Sequence, residues 1–335
     1  MKDPRSKAAK IINEELKEFP AIQITETDLW WRENDGVIYP LDENNFIKRL
    51  FDILAPRVPF GTKLFHYIPL DHALFALGDK RMRMYFIEKY FAEDPDEYSG
   101  LLDDLEMPDE VTIGGEKQSR RTEDVRRNSY ILSMSDSAQN ESLWSKSTKD
   151  SPRVCLEVQI EKLSEHLLPE FLRGRNFFEL RKVNYNRRIE SLIRITARIQ
   201  NELGVMIILS GIIHLALYTK SERFNPEREC RFGVNDFYLQ NIGQALSTPQ
   251  LSALGAAPFS DESNLVHLSF PLIGLNEDRI EYPKSDFRRH FKRRNLYTFR
   301  LGKIIIDENI SKIKLEALQA RAVKYIPQVT IEMRD

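Results

Sequence analysis

The segment Phe224-Asn225-Pro226-Glu227-Arg228-Glu229-Cys230-Arg231 brings two carboxylates and a guanidinium close together along the chain. If it is extended, Glu227, Glu229 and Arg231 share one face, because side chains repeat every two residues along a strand. Such a trio is either a structural ion-pair network or a catalytic carboxylate held by an arginine, and the spacing leaves both readings open. Two other short groups carry polar atoms suited to a site. Phe65-His66-Tyr67, followed by Pro69-Leu70-Asp71, puts a histidine–aromatic pair at a strand end just before a helix. A helix N-terminus favours anionic groups such as phosphates, and the alternative is a core histidine bonded to backbone. Ser133-Met134-Ser135 leads into Leu143-Trp144-Ser145. Hydroxyls at a strand end suit a ribose or an amide, and a tryptophan can stack on a flat ring. The same residues also suit a helix cap, at Ser135 or Asp136, beside a buried tryptophan.

The elements that must position these groups are legible as periodicity. Short strands are predicted at Lys63 to Tyr67, Arg81 to Phe86, Ser129 to Ser133 and Arg153 to Val158, with helices at Leu70 to Leu77 (ended by Gly78) and Asn140 to Lys146. Helical spacing dominates Arg187 to Tyr218. A strand follows at Leu265 to Ile273, and the chain closes as strand, helix and strand at Leu296 to Ile306, Ile310 to Val323 and Gln328 to Met333. Ahead of these, residues 1–60 read as a helical extension. Ala8 to Phe19 forms an amphipathic helix closed by Pro20, and Asp42 to Leu54 a second one. The Trp30-Trp31 pair between them reads as an anchor for that arm or a ligand-binding pair. Residues 92–127 are acidic, then Gly-rich and basic, with little apolar periodicity, which predicts a surface insertion.

Composition narrows the function classes. The chain has 335 residues, 41% hydrophobic and 30% charged, with a formal net charge of −2, so polyanion binding must come from local patches. Its two cysteines, Cys155 and Cys230, show no zinc spacing and no disulfide framework. The longest apolar run, Leu203 to Tyr218, falls short of the roughly 20 residues a membrane span needs. The N-terminus has no apolar signal region, and a cytoplasmic location is expected. Phosphate-loop, GxGxxG, HExxH and GxSxG motifs are missing from the sequence. No Asp…Glu-x-Lys arrangement of a metal-dependent nuclease is convincing, and no metal is expected.

The order of the short motifs resembles the bacterial domain-of-unknown-function 2971 family. It comprises His-Tyr with a following helix, Ser-x-Ser with Leu-Trp-Ser, Phe-x-x-Glu-x-Glu-x-Arg, and Lys303-Ile304-Ile305-Ile306 with the closing helix and strand. The resemblance covers His66 to Asp335, with insertions near 92–127 and 234–294. Glu93-Asp94-Pro95 stands where that family carries an Asn-Asp-Pro-type segment, and Cys230 where it carries an aromatic. More distantly, the same order resembles the ADP-ribosyltransferase fold. That resemblance implies an α+β (mixed α/β) chain: a split β-sheet core with flanking helices over 61–335, behind the N-terminal helical extension. It implies NAD as co-substrate, His66 on the NAD ribose, and Tyr67 or Tyr85 lining the nicotinamide pocket. It further implies that Ser133, Ser135, Trp144 and Arg231 complete the cofactor site. On the same resemblance Glu229 would be the catalytic carboxylate, with His66 assisting and Glu227 the less favoured choice. The chemistry suits the residue types. Cleavage of the nicotinamide–ribose bond passes through an oxocarbenium-like state that a neighbouring carboxylate stabilises.

Two basic stretches interleave with aromatics. Arg173, Arg175, Arg181, Lys182, Arg187 and Arg188 surround Phe177, Phe178 and Tyr185. Arg288, Arg289, His290, Lys292, Arg293 and Arg294 lie between Phe287 and Tyr297. Such patterns suit single-stranded nucleic acid or are solvated faces paired with acids. With Arg288, Arg289, Lys292, Arg293 and Arg294 as acceptor-binding residues, the expectation is a toxin or defence effector. Its acceptor would be RNA or single-stranded DNA, with a protein acceptor next, and a neutralising antitoxin is the expected partner. The competing class is a non-catalytic nucleotide- or partner-binding module on the same fold, and convergence of His66, Tyr67 and Glu229 distinguishes the two.

Overall fold

Strand β8 (Arg153–Lys162) shows how the sequence specifies its sheet. Val154, Leu156, Val158 and Ile160 alternate with Cys155, Glu157 and Gln159, so one face of the strand is wholly aliphatic. It runs antiparallel to β3 (Lys63–Pro69) on one side and β14 (Tyr297–Ile306) on the other. The computed structural model describes residues 3–41, 44–86, 101, 110–113, 116–119, 129–162, 164, 178–186, 189–209, 211–235, 257–260, 266–275 and 296–334. It is a mixed α+β structure that divides into two units.

The larger unit comprises Val58–Lys89, Arg127–Lys182 and Phe224–Asp335. Among the described residues its strands form one ten-stranded sheet of mixed orientation. The order is β12 (Ala257–Ser260), β13 (Val266–Gly274), β14, β8, β3, β7 (Ser129–Ser135), β11 (Glu229–Asn235) and β9 (Glu179–Lys182). β15 (Thr330–Met333) pairs in parallel with β14, and β4 (Arg81–Phe86) pairs with both β13 and β7. The path β13–β14–β8–β3–β7–β4 therefore returns to β13, a closed circuit that leaves few strand edges unpaired. Its weakest join is β3–β7, where Phe65↔Ser135 is the single residue pair.

One hydrophobic cluster covers the aliphatic face of this sheet. Helices α3 (Leu70–Asp79) and α7 (Lys312–Tyr325) contribute Leu70, Ala73, Leu77, Leu318 and Ala322 to it. The expected end of α3 at Gly78 shifts by two residues, since Lys80 takes the left-handed conformation (φ 51°). Gly78 instead leaves room for Arg321, whose guanidinium donates to Leu74 O at 3.0 Å. Phe232 lies at the centre of the cluster's aromatic part. It stacks on Phe178 (centroids 5.1 Å apart) and meets Phe270, Tyr297 and Phe299 edge-on.

The smaller unit comprises Met1–Arg57, Tyr90–Arg126 and Val183–Arg223. It holds α1 (Arg5–Glu15), the hairpin β1 (Leu29–Arg32) and β2 (Val37–Pro40), and α2 (Phe46–Leu54). The strand pair β5 (Glu110–Ile113) and β6 (Glu116–Ser119) also belongs to it. Residues 1–57 thus share this unit with two later stretches of the chain. α5 (Glu190–Leu203) packs against α1, and β10 (Met206–Ile207) adds a parallel strand to β2. The continuous helical spacing of Arg187 to Tyr218 is also broken. Gly204 ends α5 at φ 67°, and Met206 and Ile207 pair as a strand before α6 (Ile212–Leu217) begins. Trp30 and Trp31 lie in β1, where Trp30 meets Tyr39 with ring centroids 5.3 Å apart and stays half exposed.

Phe232 sits on β11 between Arg231 and Gly233 and holds the strand from its apolar side. Phe232→Ala is expected to lower the unfolding free energy by about 3–5 kcal/mol in urea titration. A loss below about 1 kcal/mol would show that the cluster collapses around the gap and does not anchor β11.

Candidate functional site

β7 and β11 pair antiparallel without a break, with Ser135 opposite Glu229 and Ser133 opposite Arg231. Alternation sends Leu132, Met134, Cys230 and Phe232 into the apolar cluster and leaves Ser133, Ser135, Glu229 and Arg231 on the other face. There the side chains meet. Ser133 Oγ donates to Glu229 Oε1 at 2.5 Å, and Arg231 Nε donates to the same oxygen at 2.6 Å. Glu229 is 4% exposed and Arg231 0%, so the pair is an ion pair taken out of water. Truncating one partner of such a pair costs about 3–5 kcal/mol.

β9 extends the same row. Arg181 lies opposite Arg231 in register and is 1% exposed, with its guanidinium on Glu179 at 3.0 and 3.1 Å. Each strand thus pairs an arginine with the glutamate two residues before it. This corrects the first basic stretch: Arg181 is a buried ion-pair member and Phe178 a core aromatic, so neither belongs to a solvated nucleic-acid face. Arg173, Arg175, Phe177, Arg187 and Arg188 lie outside the described residues, as do Arg288, Arg289, Lys292, Arg293 and Arg294.

His66 reaches the group from β3. Its Nδ1 lies 2.7 Å from Ser133 O. A carbonyl only accepts, so Nδ1 carries the hydrogen, and the neutral ring leaves Nε2 as an acceptor. Burial pushes the His66 pKa down to about 4, against the opposing pull of the bond to Ser133 O. Ser133 therefore joins His66 through its carbonyl and Glu229 through its hydroxyl.

Tyr67 and Trp144 are brought together differently. The Tyr67 hydroxyl donates to Ser137 O at 2.8 Å and accepts from Asn140 N at 3.1 Å. Burial pushes its pKa up. Trp144 meets Tyr67 edge-on with centroids 5.1 Å apart, is 2% exposed, and donates to Ala138 O at 2.9 Å. Both rings are packed, with their polar atoms bonded to backbone or to each other's segment. Tyr85 lies opposite Ile131 of β7 and His267 of β13, 5.4 Å from the His267 ring.

Glu227 departs from the extended expectation. Glu222–Glu227 is a 3-10 turn with Pro226 inside it, and Arg228 follows with φ 48° before β11 begins. The turn takes Glu227 off the Glu229 face, and its carboxylate pairs with Lys146 Nζ at 3.1 Å. A non-glycine residue in that left-handed region costs on the order of 1–3 kcal/mol and is held by its surroundings. Here Arg228 pairs with Asp136 at 2.8 Å.

Sequence reasoning missed Asn140 and Lys146, and it placed Arg181 in a basic patch and not in an ion pair. Asn140 was detectable, since asparagine is among the preferred N-cap residues. It caps α4 (Glu141–Trp144) by accepting from Leu143 N at 3.2 Å, in place of Ser135 or Asp136. Among the described residues no cluster of His, Cys, Asp or Glu could hold a metal ion, and no helix is long and apolar enough to cross a membrane. Comparison with known proteins finds no matching family model, no matching curated protein and no matching solved structure. The motif resemblances therefore rest on the order of their residues alone.

The part-buried His66 ring makes stability depend on pH. Its folded pKa lies below the ordinary 6.5, so its contribution is complete above pH 6.5 and is lost as pH falls from 6.5 towards 4. Over that window the wild type is expected to lose on the order of 3 kcal/mol that His66→Gln does not lose, read as the divergence of their urea stabilities. Parallel curves for the two proteins would show that His66 titrates normally.

Proposed function

We propose that this chain is an NAD-dependent ADP-ribosyltransferase with Glu229 as its catalytic carboxylate. The observation that carries the reading is the double role of Ser133, which brings His66 and Glu229 to one residue of β7. His66 Nε2, an acceptor, suits a ribose hydroxyl donor. Glu229, paired with Arg231, suits the positive charge that develops on the ribose as the glycosidic bond to nicotinamide breaks. Nicotinamide leaves with the bonding electron pair, the acceptor nucleophile bonds to the ribose carbon, and the acceptor's proton passes to a base or water. A bacterial toxin or defence effector acting in the cytoplasm on RNA or single-stranded DNA fits the basic run at Arg288, Arg289, Lys292, Arg293 and Arg294, with protein the next acceptor. A neutralising antitoxin would then be expected.

One observation favours a second reading, a non-catalytic nucleotide- or partner-binding module. Glu229 is almost fully covered and already bonded to Ser133 and Arg231. Substrate access would have to displace that cover.

The test is incubation of the wild type and Glu229→Gln with labelled NAD, separately with total RNA, single-stranded DNA and cell lysate. Glu229→Gln keeps the shape and is expected to lower transfer at least about 100-fold while the fold persists. Transfer by the wild type alone identifies the acceptor class, and no nicotinamide release from any mixture supports the binding module. Reversing the charges of Arg288, Arg289, Lys292, Arg293 and Arg294 is expected to impair acceptor use while NAD hydrolysis continues. Equal loss of both would count against an acceptor role.

A further inference from the structure

The carbonyls that precede the left-handed Arg228 converge on one carboxamide. Asn140 Nδ2 lies 2.8 Å from Glu227 O, 3.0 Å from Pro226 O and 3.1 Å from Ser135 Oγ. Ser135 Oγ also donates to Glu227 O at 3.0 Å. Both hydrogens of the amide nitrogen are thereby engaged by the turn and by Ser135. The other atoms of Asn140 face the opposite way: Oδ1 caps α4, and the backbone N–H donates to the Tyr67 hydroxyl. At 5% exposure Asn140 has little water to fall back on. A buried residue of the β7–α4 connection thus fixes the end of the turn from which β11 starts.

That start decides which side chains face Ser133. The period of a strand is two residues, so a one-residue slip at Arg228 would turn Glu229 towards the apolar cluster and Cys230 towards Ser133. The ladder downstream is regular from Glu229↔Ser135 to Asn235↔Ser129 and contains no bulge that would absorb a slip. The register is therefore set at its beginning. There Asn140 and Ser135 hold the two carbonyls, while Asp136 holds Arg228 through its carboxylate and through its backbone N–H to Arg228 O.

We infer that Asn140 is a positioning residue for Glu229: its carboxamide fixes the Pro226–Glu227 carbonyls and so sets the register that aims the Glu229 carboxylate at Ser133. The catalytic part of this statement rests on the reading of Glu229 proposed above, whereas the structural part does not.

Asn140→Asp tests it, because aspartate keeps the size and the cap acceptor but puts an oxygen where the turn needs a donor. Two quantities are measured on the full chain: kcat and KM for nicotinamide release from NAD, and amide hydrogen exchange along β11, β8 and β14. The expected result is a fall in kcat of roughly 10- to 100-fold with KM changed by less than about threefold. Exchange at Glu229 and Cys230 is expected to quicken at least about tenfold while β8 and β14 keep their protection. Asn140→Ser, also a good cap but too short to reach the turn, is expected to give the same pattern. Ser135→Ala, which removes one donor to Glu227 O, gives a smaller loss in the same direction. A kcat within about twofold of wild type overturns the inference. So does a lower kcat without faster exchange at Glu229 and Cys230, and so does a uniform rise in exchange over all three strands. If the wild type releases no nicotinamide, the proposed function falls, and the exchange pattern alone decides whether Asn140 sets β11.

Discussion

Taking a carboxylate and a guanidinium out of water costs several kcal/mol for each ion unless their bonds are nearly all made inside the protein. Glu229 and Arg231 meet that requirement only because three strands are in one register. β7 supplies the Ser133 hydroxyl, β11 supplies both charges two residues apart, and β9 places Arg181 beside Arg231 with Glu179 to balance it. A slip of one residue in any of them would bury an uncompensated charge. The ionic row thus makes the sheet intolerant of alternatives, while Phe232 and its aromatic neighbours on the other face supply the apolar burial that holds it.

Two carboxylates separated by one residue end in different surroundings for a local reason. Pro226 cannot donate a backbone hydrogen bond and closes a 3-10 turn, and Arg228 takes a left-handed conformation. The chain direction changes between Glu227 and Glu229, so the two anions are not forced to share one face, where each would raise the other's pKa. Glu227 pairs with Lys146 and Glu229 with Arg231.

Much of this was legible in the sequence. Period-two alternation located β3, β4, β7, β8, β13 and β14 closely and put Glu229 and Arg231 on one face, while Ser133 and His66 stood out as polar residues at strand ends. What alternation does not carry is partner choice. That Ser133 faces Arg231, and that Arg181 lies opposite it, follows from strand order, which connects residues far apart along the chain. The turn at Glu227 was missed because an Arg in the left-handed region has no local sequence signal comparable to a glycine. The helical spacing of Arg187 to Tyr218 misled for another reason. Aliphatic residues such as Val205, Ile207 and Ile208 satisfy either period, and pairing of Ile207 with Ile38 decided for strand.

The energetically costly features of the larger unit lie close together. An ion pair as deeply buried as Glu229–Arg231 is replaceable by apolar residues with little loss of stability, and often with a gain. Holding His66 where its pKa falls to about 4 works against stability in acid. Arg228 occupies backbone space that a glycine would fill at less cost. Any one of these can arise in a structural network. All three adjoin Ser133 and the start of β11, whereas the buried carboxylate of β8, Glu157, pairs at 3.1 Å with Lys63, whose side chain is largely exposed. Strained backbone and perturbed ionisation cluster where a protein must hold charge ready for a ligand. On that ground the β3–β7–β11 junction, rather than the exposed Trp30, is the place where catalysis should be sought.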